Sequence, residues 1–243
     1  MDLSVERKFT SGFTFQSQYT LGRNRSDTGN DGERATPEDP HNRARDMGNI
    51  SFMPRQRWIT NTYYELPFGH GKHFATNLNR IADGAVSGWS LSAILVEQTG
   101  QFLDLGYSGK DILHDRTRSG RPDCVAAPYP VNQSIGYWLN PAAFALPGAG
   151  MWGSCERNVV TGPGMNDLNL GIQKSFHLTE KAVLQFKGTA TNAFNHPIFS
   201  SPNTTITSGG FGQITGVLGQ TSNRASLGAA GYRITQIGAR VDF

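Results

Sequence analysis

Polar and apolar residues alternate with period two in about seven stretches of the chain. Between residues 13 and 21, aromatic and apolar side chains occupy most odd positions, while threonine and glutamine occupy the even ones. The alternation recurs at 168–178, 184–194 and 237–243, is partial at 3–9, and is noisier at 58–66 and 89–96, where Ile59 and Ile94 break it. Because successive side chains of a strand point to opposite faces, each stretch predicts a strand with one apolar face. Their lengths are near the ~9–11 residues that a tilted strand needs to cross a bilayer.

The connections between these stretches differ sharply in length. Thr10-Ser11-Gly12 and Thr179-Glu180-Lys181 are tight turns, whereas the segments near 22–56, 99–165 and 195–231 are long. Barrels of the bacterial outer membrane have short turns on the periplasmic rim and long loops on the outer rim. The sequence therefore predicts an all-β fold, an antiparallel transmembrane β-barrel fragment with about seven strands of a larger barrel, long extracellular loops and short periplasmic turns.

The chain ends on an aromatic residue in mid-pattern, and this supports the same fold. Ends of soluble domains are usually polar and frayed, whereas a membrane strand ends at an interfacial aromatic. If Phe243 is periplasmic, the direction of every strand follows, and both tight turns lie on the periplasmic side. A girdle of aromatic side chains is then predicted at the periplasmic ends of the strands: Phe9, Phe13, Tyr64, Trp89, Phe176 and Phe243. Tyr19, Trp58 and Phe194 fall at the outer ends. The polar alternates of the last strands are predicted to face the lumen: Gln185, Lys187, Gln236, Arg240 and Asp242.

The residues of two connections predict further structural features. In the longer periplasmic connection, from Pro67 to Gly88, apolar residues at 74, 78, 81 and 85 recur at helical spacing, which predicts a short amphipathic helix that covers the rim. The outer segment from Arg23 to Asp46 is rich in Arg, Asp, Asn and Gly, and we expect it to be mobile.

Composition sets few further limits. The chain has 243 residues, a net charge of +3 and a mean hydropathy of −0.41, and it lacks the run of ~18 apolar residues that a transmembrane helix needs. Neither value excludes a barrel, whose strands are only half apolar. The two cysteines, Cys124 and Cys155, form either one disulfide or two free thiols.

The N-terminal residues contain no apolar signal segment, so we expect the export signal to lie upstream and residues 1–243 to be one partial barrel domain. An open sheet of seven strands would expose two unpaired edges to lipid. We therefore expect further strands, from missing sequence or from another chain, to complete it.

Few residues are candidates for a metal, catalytic or ligand-binding site. His70 and His73 have the spacing of a metal pair but no third ligand nearby, and His196 precedes Pro197, where a strand must end. Asp111, His114 and Asp115, with two neighbouring arginines, lie in a long outer loop and either bind an acidic or sugar ligand or form a solvated loop. The glycines near Phe211 do not form a phosphate loop. We expect no catalytic residue, no cofactor and no metal.

Several local motifs resemble the C-terminal barrel of Oar-like TonB-dependent receptors, and they occur in order over nearly the whole chain. They are Val5-Glu6-Arg7-Lys8-Phe9, Glu65-Leu66-Pro67-Phe68-Gly69, Gly88-Trp89-Ser90-Leu91, Asn140-Pro141-Ala142-Ala143-Phe144, Arg157-Asn158-Val159 with Gly162-Pro163-Gly164, Leu184-Gln185-Phe186, Asn192-Ala193-Phe194-Asn195-His196-Pro197, Asn203-Thr204-Thr205 and Phe211-Gly212-Gln213-Ile214-Thr215. The resemblance implies a barrel of about 22 strands, a plug inside it, a TonB-contacting segment and often a carboxypeptidase-like domain before the plug. Of these parts this chain supplies only the C-terminal wall and the outer loops.

The function implied by the resemblance is binding and energised uptake of a large nutrient, a saccharide, peptide or chelated metal, at the outer membrane. Expected partners are outer-membrane lipid, the remaining strands and plug of the full-length protein, the TonB complex through the missing segments, and the barrel-assembly machinery, but not nucleic acid. That machinery is expected to recognise a C-terminal assembly signal formed by Ile237, Ala239, Val241 and Phe243. Two alternatives stay open: a structural or adhesive outer-membrane surface protein without transport, and a secreted soluble β-sandwich that binds glycans.

Overall fold

The structure, a computed structural model, describes residues 1–8, 12–27, 37–179, 182–218 and 231–243. It contains seven long strands and one α-helix: β1 (Asp2–Lys8), β2 (Phe13–Leu21), β3 (Gln56–Glu65), α1 (Arg80–Val86), β4 (Trp89–Gln98), β5 (Met165–His177), β6 (Val183–Thr191) and β7 (Ile234–Asp242). The connections contain short elements. They are the two-residue strands Arg25–Ser26, Gly48–Asn49, Phe102–Leu103, Tyr107–Ser108, Ser119–Gly120, Asp123–Cys124, Phe144–Ala145 and Val160–Thr161, and the 3₁₀ turns Arg43–Asp46 and Pro141–Ala143.

The seven long strands form a single antiparallel sheet in which each strand pairs with its neighbours in sequence. The pairing is continuous over most of each strand. For example, β5 pairs with β4 from Met165↔Gln98 to Lys174↔Trp89, and β6 pairs with β7 from Val183↔Asp242 to Thr191↔Ile234. The predicted all-β, antiparallel fold is confirmed, and so is the number of its long strands.

The sheet has two different rims. Residues 9–12, 66–88 and 178–182 connect strands at one rim, which we call the short-turn rim. Residues 22–55, 99–164 and 192–233 connect strands at the opposite, long-loop rim. Both β1 and β7 run from the long-loop rim to the short-turn rim, and among the described residues neither pairs on its outer side. The sheet is therefore open, and an odd number of further strands is needed to close it with antiparallel pairs throughout.

The register gives the sheet one apolar face and one polar face, because directly paired residues project to the same side. The apolar face carries Leu3, Val5, Phe13, Phe15, Tyr19, Leu21, Trp58, Tyr64, Trp89, Leu91, Leu95, Leu168, Leu170, Ile172, Phe176, Leu184, Phe186, Ile237 and Val241. Many of these side chains are exposed, from 36% for Leu21 to 86% for Ile237. A water-soluble sandwich would bury this row against a second layer, so the secreted-sandwich alternative is wrong.

Lys174 is a buried cation on the apolar face, which also carries two charged residues near strand ends: Arg7, paired with Phe15, and Glu97, paired with Trp58. In the alternation of β5, Lys174 takes an apolar-face position between Trp89 of β4 and Phe186 of β6, which pair with it. The side chain is nonetheless buried, with its ammonium nitrogen 5.4 Å from the Trp89 ring centroid and 4.8 Å from that of Phe176. The same nitrogen donates a hydrogen bond to the backbone carbonyl of Ser87. Two aromatic rings of the predicted girdle thus shield the one cation that interrupts the apolar pattern of β5.

The largest buried apolar cluster lies in the long loops and not in the sheet. It contains Leu105, Leu139, Ala143, Phe144, Cys155, Val160 and Phe211. These residues come from two connections, 99–164 and 192–233, and residues 37–49 pack against the first of them. We call the described parts of the three long connections the cap. Phe144 and Phe211 join the two connections edge to face, with ring centroids 5.6 Å apart.

Three predictions need correction. The helix of the 66–88 connection is shorter than predicted, because it begins after Asn79, whose side chain accepts a hydrogen bond from the Ala82 amide, while Phe74 bridges to Phe68 in a turn. Phe194 lies beyond the end of β6, in a turn, and so does not belong to a strand. The segment up to Asp46 is not a mobile loop throughout, because Asp46 is fully buried; residues 28–36 lie outside the described residues.

Candidate functional site

The cap is held together covalently at its centre. Cys124 and Cys155 are joined by a disulfide with a sequence separation of 31 residues. Beside the bridge, Asp123–Cys124 pairs with Phe144–Ala145, and the Cys155 amide donates to the carbonyl of Pro122 at 3.1 Å. Such a bridge removes conformational freedom from the unfolded loop and so favours one folded arrangement of the cap.

A buried ion network ties the 22–55 connection to the 99–164 connection. The guanidinium of Arg121 contacts Asp46 at 2.8 Å and Glu38 at 2.6 Å, and it also donates to the backbone carbonyl of Arg45 at 2.9 Å. Arg157 approaches the same Asp46 carboxylate at 3.7 Å. Because Asp46 and Arg121 are both buried, each charge depends on its partner, and the two loops are held in a fixed relation.

A cavity of about 670 Å³ opens beside this network. Its walls come from residues 37–41, from the stretch between Asp104 and Tyr107, from residues between 113 and 121, and from Trp152 and Arg157. Ligand pockets in proteins commonly measure about 300–1,000 Å³ and combine apolar walls with a few polar groups. The cavity has this size and composition, and it lies between the 22–55 and 99–164 connections of the cap.

Asp104 is the most unusual side chain of the cavity. It is accessible from the cavity, yet the surrounding walls remove enough water that desolvation raises the pKa of its carboxyl group above the ordinary value of 3.8. The backbone amide of Asn158 donates to it at 3.3 Å, and the charges of Arg121 and Arg157 act in the opposite direction to desolvation. Among the described residues no cation lies within 4.0 Å of this carboxylate, since both arginines form their ion pairs elsewhere.

The lining of the cavity contains more carboxyl groups than guanidinium groups. It includes four carboxyl groups, those of Glu38, Asp39, Asp104 and Asp115, against two guanidinium groups, and the buried Asp46 contacts both of the latter. Tyr107, which also lines the cavity, is affected by these charges. Burial raises the pKa of its hydroxyl group, and the charges of Glu38, Asp115 and Asp111 raise it further.

The residues that the sequence suggested for ligand binding are only partly brought together. Asp115 lines the cavity, whereas Asp111 and His114 are exposed outside its lining. His70 lies in a different cavity, of about 500 Å³, where the 66–88 connection folds over the polar face at the short-turn rim. There the His70 amide donates to Asp83 at 2.7 Å. His196 is in a turn, where its amide donates to the side chain of Asn192 at 2.9 Å.

The other predicted residues take positions along the sheet. Gln185, Lys187, Gln236, Arg240 and Asp242 lie on the polar face. Ile237, Ala239 and Val241 lie on the apolar face, and Phe243 follows β7 fully exposed. Phe13, Tyr64, Trp89 and Phe176 lie on the apolar face at the short-turn rim, where the rings of Phe13 and Tyr64 meet edge to face at 5.8 Å. Phe9 lies outside the described residues.

Sequence analysis missed most of the cavity. Asp104, Tyr107, Arg121 and Trp152 belong to no strand pattern, and the wall at 37–41 lies in a segment that was expected to be mobile. Two lining residues carried a signal: Asp115, as a candidate for ligand binding, and Arg157, as part of the Arg157-Asn158-Val159 motif. The structure explains the motif, because Asn158 exchanges hydrogen bonds with Asn49 at 2.5 and 3.2 Å and its amide contacts Asp104.

In the described ranges, no group of three or more His, Cys, Asp or Glu side chains is arranged to hold a metal ion. In the same ranges, no helix is long and apolar enough to cross a membrane.

Comparison with known proteins agrees with the architecture of the sheet. The family model described as "Outer membrane beta barrel domain" matches residues 1–236, which is nearly the whole chain. A search of curated proteins and a search of solved structures each found no match. The family and the geometry together explain the exposed apolar face as a surface that meets hydrocarbon and identify the long strands as transmembrane strands. The chain belongs to the outer membrane beta barrel domain family and is located in the outer membrane.

Proposed function

We propose that the chain forms the C-terminal barrel wall and the ligand-capturing outer loops of a TonB-dependent outer-membrane receptor for a large nutrient. The observation that carries this proposal is the cavity in the cap, which lies between two loop connections that a buried ion network and a core hold in place. A wall that only closes a barrel needs no such cavity. The proposed action is binding and transport, without a catalytic step.

The orientation follows from the two rims. Outer-membrane barrels have short periplasmic turns and long extracellular loops, so the short-turn rim and Phe243 are periplasmic in this proposal and the cap is extracellular. The disulfide of the cap agrees with a location outside the cytoplasm on either side of the outer membrane, because such bonds persist in oxidising surroundings.

Uptake would require parts that act together with this wall. By resemblance to Oar-like receptors, these are further strands, a plug inside the barrel and a segment that contacts TonB. The polar residues at positions such as Gln185 and Arg240 would then face the plug and the pathway, and β7 with Phe243 would be recognised by the barrel-assembly machinery. The even strand number typical of such barrels agrees with the odd number of strands needed to close this sheet.

Orientation is tested with two single cysteine variants in the full-length protein. Lys110→Cys lies on the exposed surface of the cap, and its matched counterpart Lys72→Cys lies on the exposed short-turn connection. A large, membrane-impermeant maleimide is expected to label the first in intact cells and the second only after the outer membrane has been permeabilised. The reverse order would contradict the proposed orientation.

Transport is tested with cells that carry or lack the full-length protein. Both are given a labelled mixture of oligosaccharides and oligopeptides, with and without a proton uncoupler. Depletion of one class that requires the protein and stops with the uncoupler is expected. If depletion is equal in all cultures while cells lacking the protein attach less to surfaces, the adhesive alternative replaces the transport proposal.

A further inference from the structure

The cap cavity is chemically asymmetric, and this asymmetry restricts what it can bind. Four carboxyl groups line it, while its two arginines are already committed to acidic partners. Arg121 contacts both Glu38 and Asp46, so little of its positive charge is available to a ligand. An anionic ligand would therefore meet an excess of carboxyl groups in the lining, where both arginines are already paired.

Asp104 is a lining carboxyl group without a cation in contact. The cavity wall partly desolvates its carboxylate, and the described residues offer it the backbone amides of Asn158 and Leu105 but no cation within 4.0 Å. A carboxylate in such surroundings gains most from a ligand that brings a positive charge into contact with it. Because the side chain is accessible from the cavity, a ligand reaches it without any rearrangement of the cap.

The aromatic walls suit the same kind of ligand. Trp152 and Tyr107 line the cavity near Asp104. Trp152 already has a cation against its ring, since the guanidinium of Arg45 lies 5.8 Å from the ring centroid. Aromatic rings next to carboxylates attract organic cations both through the ring quadrupole and through the apolar stem that carries the charge.

We propose that the cap cavity binds an organic cation, a ligand whose ammonium or guanidinium group pairs with Asp104 while its apolar part lies between the cavity walls. Asp115 and Asp39, which also line the cavity, add to the attraction without touching the charged group. This inference rests on the proposed role of the cap in ligand capture, and it narrows the ligand to positively charged nutrients such as basic peptides or polyamines.

Binding is measured by isothermal titration calorimetry with the full-length protein in detergent. The probes are tri-lysine, spermidine, tri-alanine and tri-glutamate. Tri-lysine and spermidine share the cationic group but differ in backbone, so a response to both indicates recognition of the charge, and a response to tri-lysine alone indicates a peptide site. Tri-alanine and tri-glutamate are expected not to bind, and binding of the cations should weaken as salt is raised.

Asp104→Asn is the decisive variant. It removes the charge and keeps the shape, and we expect tri-lysine to bind at least about tenfold more weakly, a modest value for loss of a contact charge in a partly desolvated site. Asp104→Glu restores the charge and should bind more tightly than Asp104→Asn. The matched control is Asp111→Asn, which removes the same charge from the same connection outside the cavity lining and should change the affinity by less than about twofold.

Three results would overturn the inference: unchanged binding of tri-lysine by Asp104→Asn, equal loss in Asp104→Asn and Asp111→Asn, or binding of tri-glutamate as tight as that of tri-lysine. Should Asp104→Asn fail to fold, Asp115→Asn provides the same comparison at an exposed lining residue, with a smaller expected loss of affinity of about threefold.

The outcome of the binding test can be distinguished from that of the transport test. Binding that depends on Asp104 without energised uptake would reject transport and keep the site, whereas uptake of a neutral nutrient would reject the cationic ligand and keep transport.

Discussion

A charge placed on the apolar face of β7 tests the sidedness of the sheet. Ile237 lies near the middle of β7, projects from the apolar face and is 86% exposed. If this face meets hydrocarbon, Ile237→Arg is expected to destabilise the folded protein by about 2–4 kcal/mol, the cost of arginine near the bilayer midplane. At 1.4 kcal/mol per factor of ten, the folding equilibrium changes by roughly 30-fold to 700-fold.

The chain provides two matched comparisons for this variant. Gln236→Arg introduces the same side chain one residue earlier, on the polar face opposite Thr189, and is expected to change stability little. Val241→Arg lies on the apolar face but near the short-turn rim, where the cost falls to about 0–1 kcal/mol. Folding of the full-length protein into lipid vesicles, followed by urea titration and by heat-modifiable migration in gels, measures all three. Equal destabilisation by Ile237→Arg and Gln236→Arg would refute the assignment of the faces.

Four further predictions concern the cap and the end of the chain. Replacing Cys124 by Ser should make the cap more sensitive to trypsin, since loss of a bridge over 31 residues costs about 3–4 kcal/mol. Arg121→Met leaves Asp46 buried without its main partner and should lower cap stability by about 3–5 kcal/mol, measured by the temperature at which proteolysis begins. Desolvation raises the pKa of Asp104, so the stability that this carboxyl group contributes to the cap is present below pH 3.8 and should be lost as pH rises through the raised pKa. This part of the pH dependence, measured by the temperature at which proteolysis begins, should be absent in Asp104→Asn. Deleting Phe243 should reduce the amount of full-length protein in the outer membrane; an unchanged amount would contradict its proposed role in assembly.

The sheet was predictable because each of its strands separates two environments. Period-two alternation located all seven long strands, and the contrast in connection lengths located the two rims. The prediction was least accurate where the alternation fails. Ile59 and Ile94 break the alternation because both are apolar residues on the polar face, where Ile59 pairs with Gln18 and Ile94 with Asn61. Their register is set by the neighbouring strands, which a single stretch of sequence does not reveal.

Lys174 shows a second limit of pattern analysis. Its position in β5 assigns it to the apolar face, where a bare ammonium group would be costly. The solution depends on residues from two other parts of the chain, the ring of Trp89 on β4 and the carbonyl of Ser87 at the end of the 66–88 connection. The aromatic residues of the girdle were identified from alternation alone, but their contact with this lysine was not predicted.

The cap was hidden from sequence analysis because its contacts span long distances along the chain. Arg121 and Asp46 are separated by 75 residues, and Arg25 and Glu156, which form a 2.8 Å ion pair, by 131. Neither pair follows a helical or strand period, and the polar composition of residues 23–46 is that of a solvated loop. The composition correctly indicated a polar segment outside the sheet, but it did not reveal which residues form ion pairs with it. Charged residues are buried only where another part of the fold supplies the opposite charge.

The two parts of the molecule follow opposite rules because they face different solvents. In the sheet, large apolar side chains such as Ile172 and Ile237 are exposed and the polar alternates project to the other side, as expected when the outer solvent is hydrocarbon. In the cap, Leu105, Leu139 and Val160 are almost completely buried, and the buried charges of Asp46 and Arg121 are paired, as expected for a fold surrounded by water. The change from one rule to the other occurs at the long-loop rim, between the strands and the connections that leave them. The position of this change marks where the membrane ends, and it places the cavity of the cap on the aqueous side of that boundary.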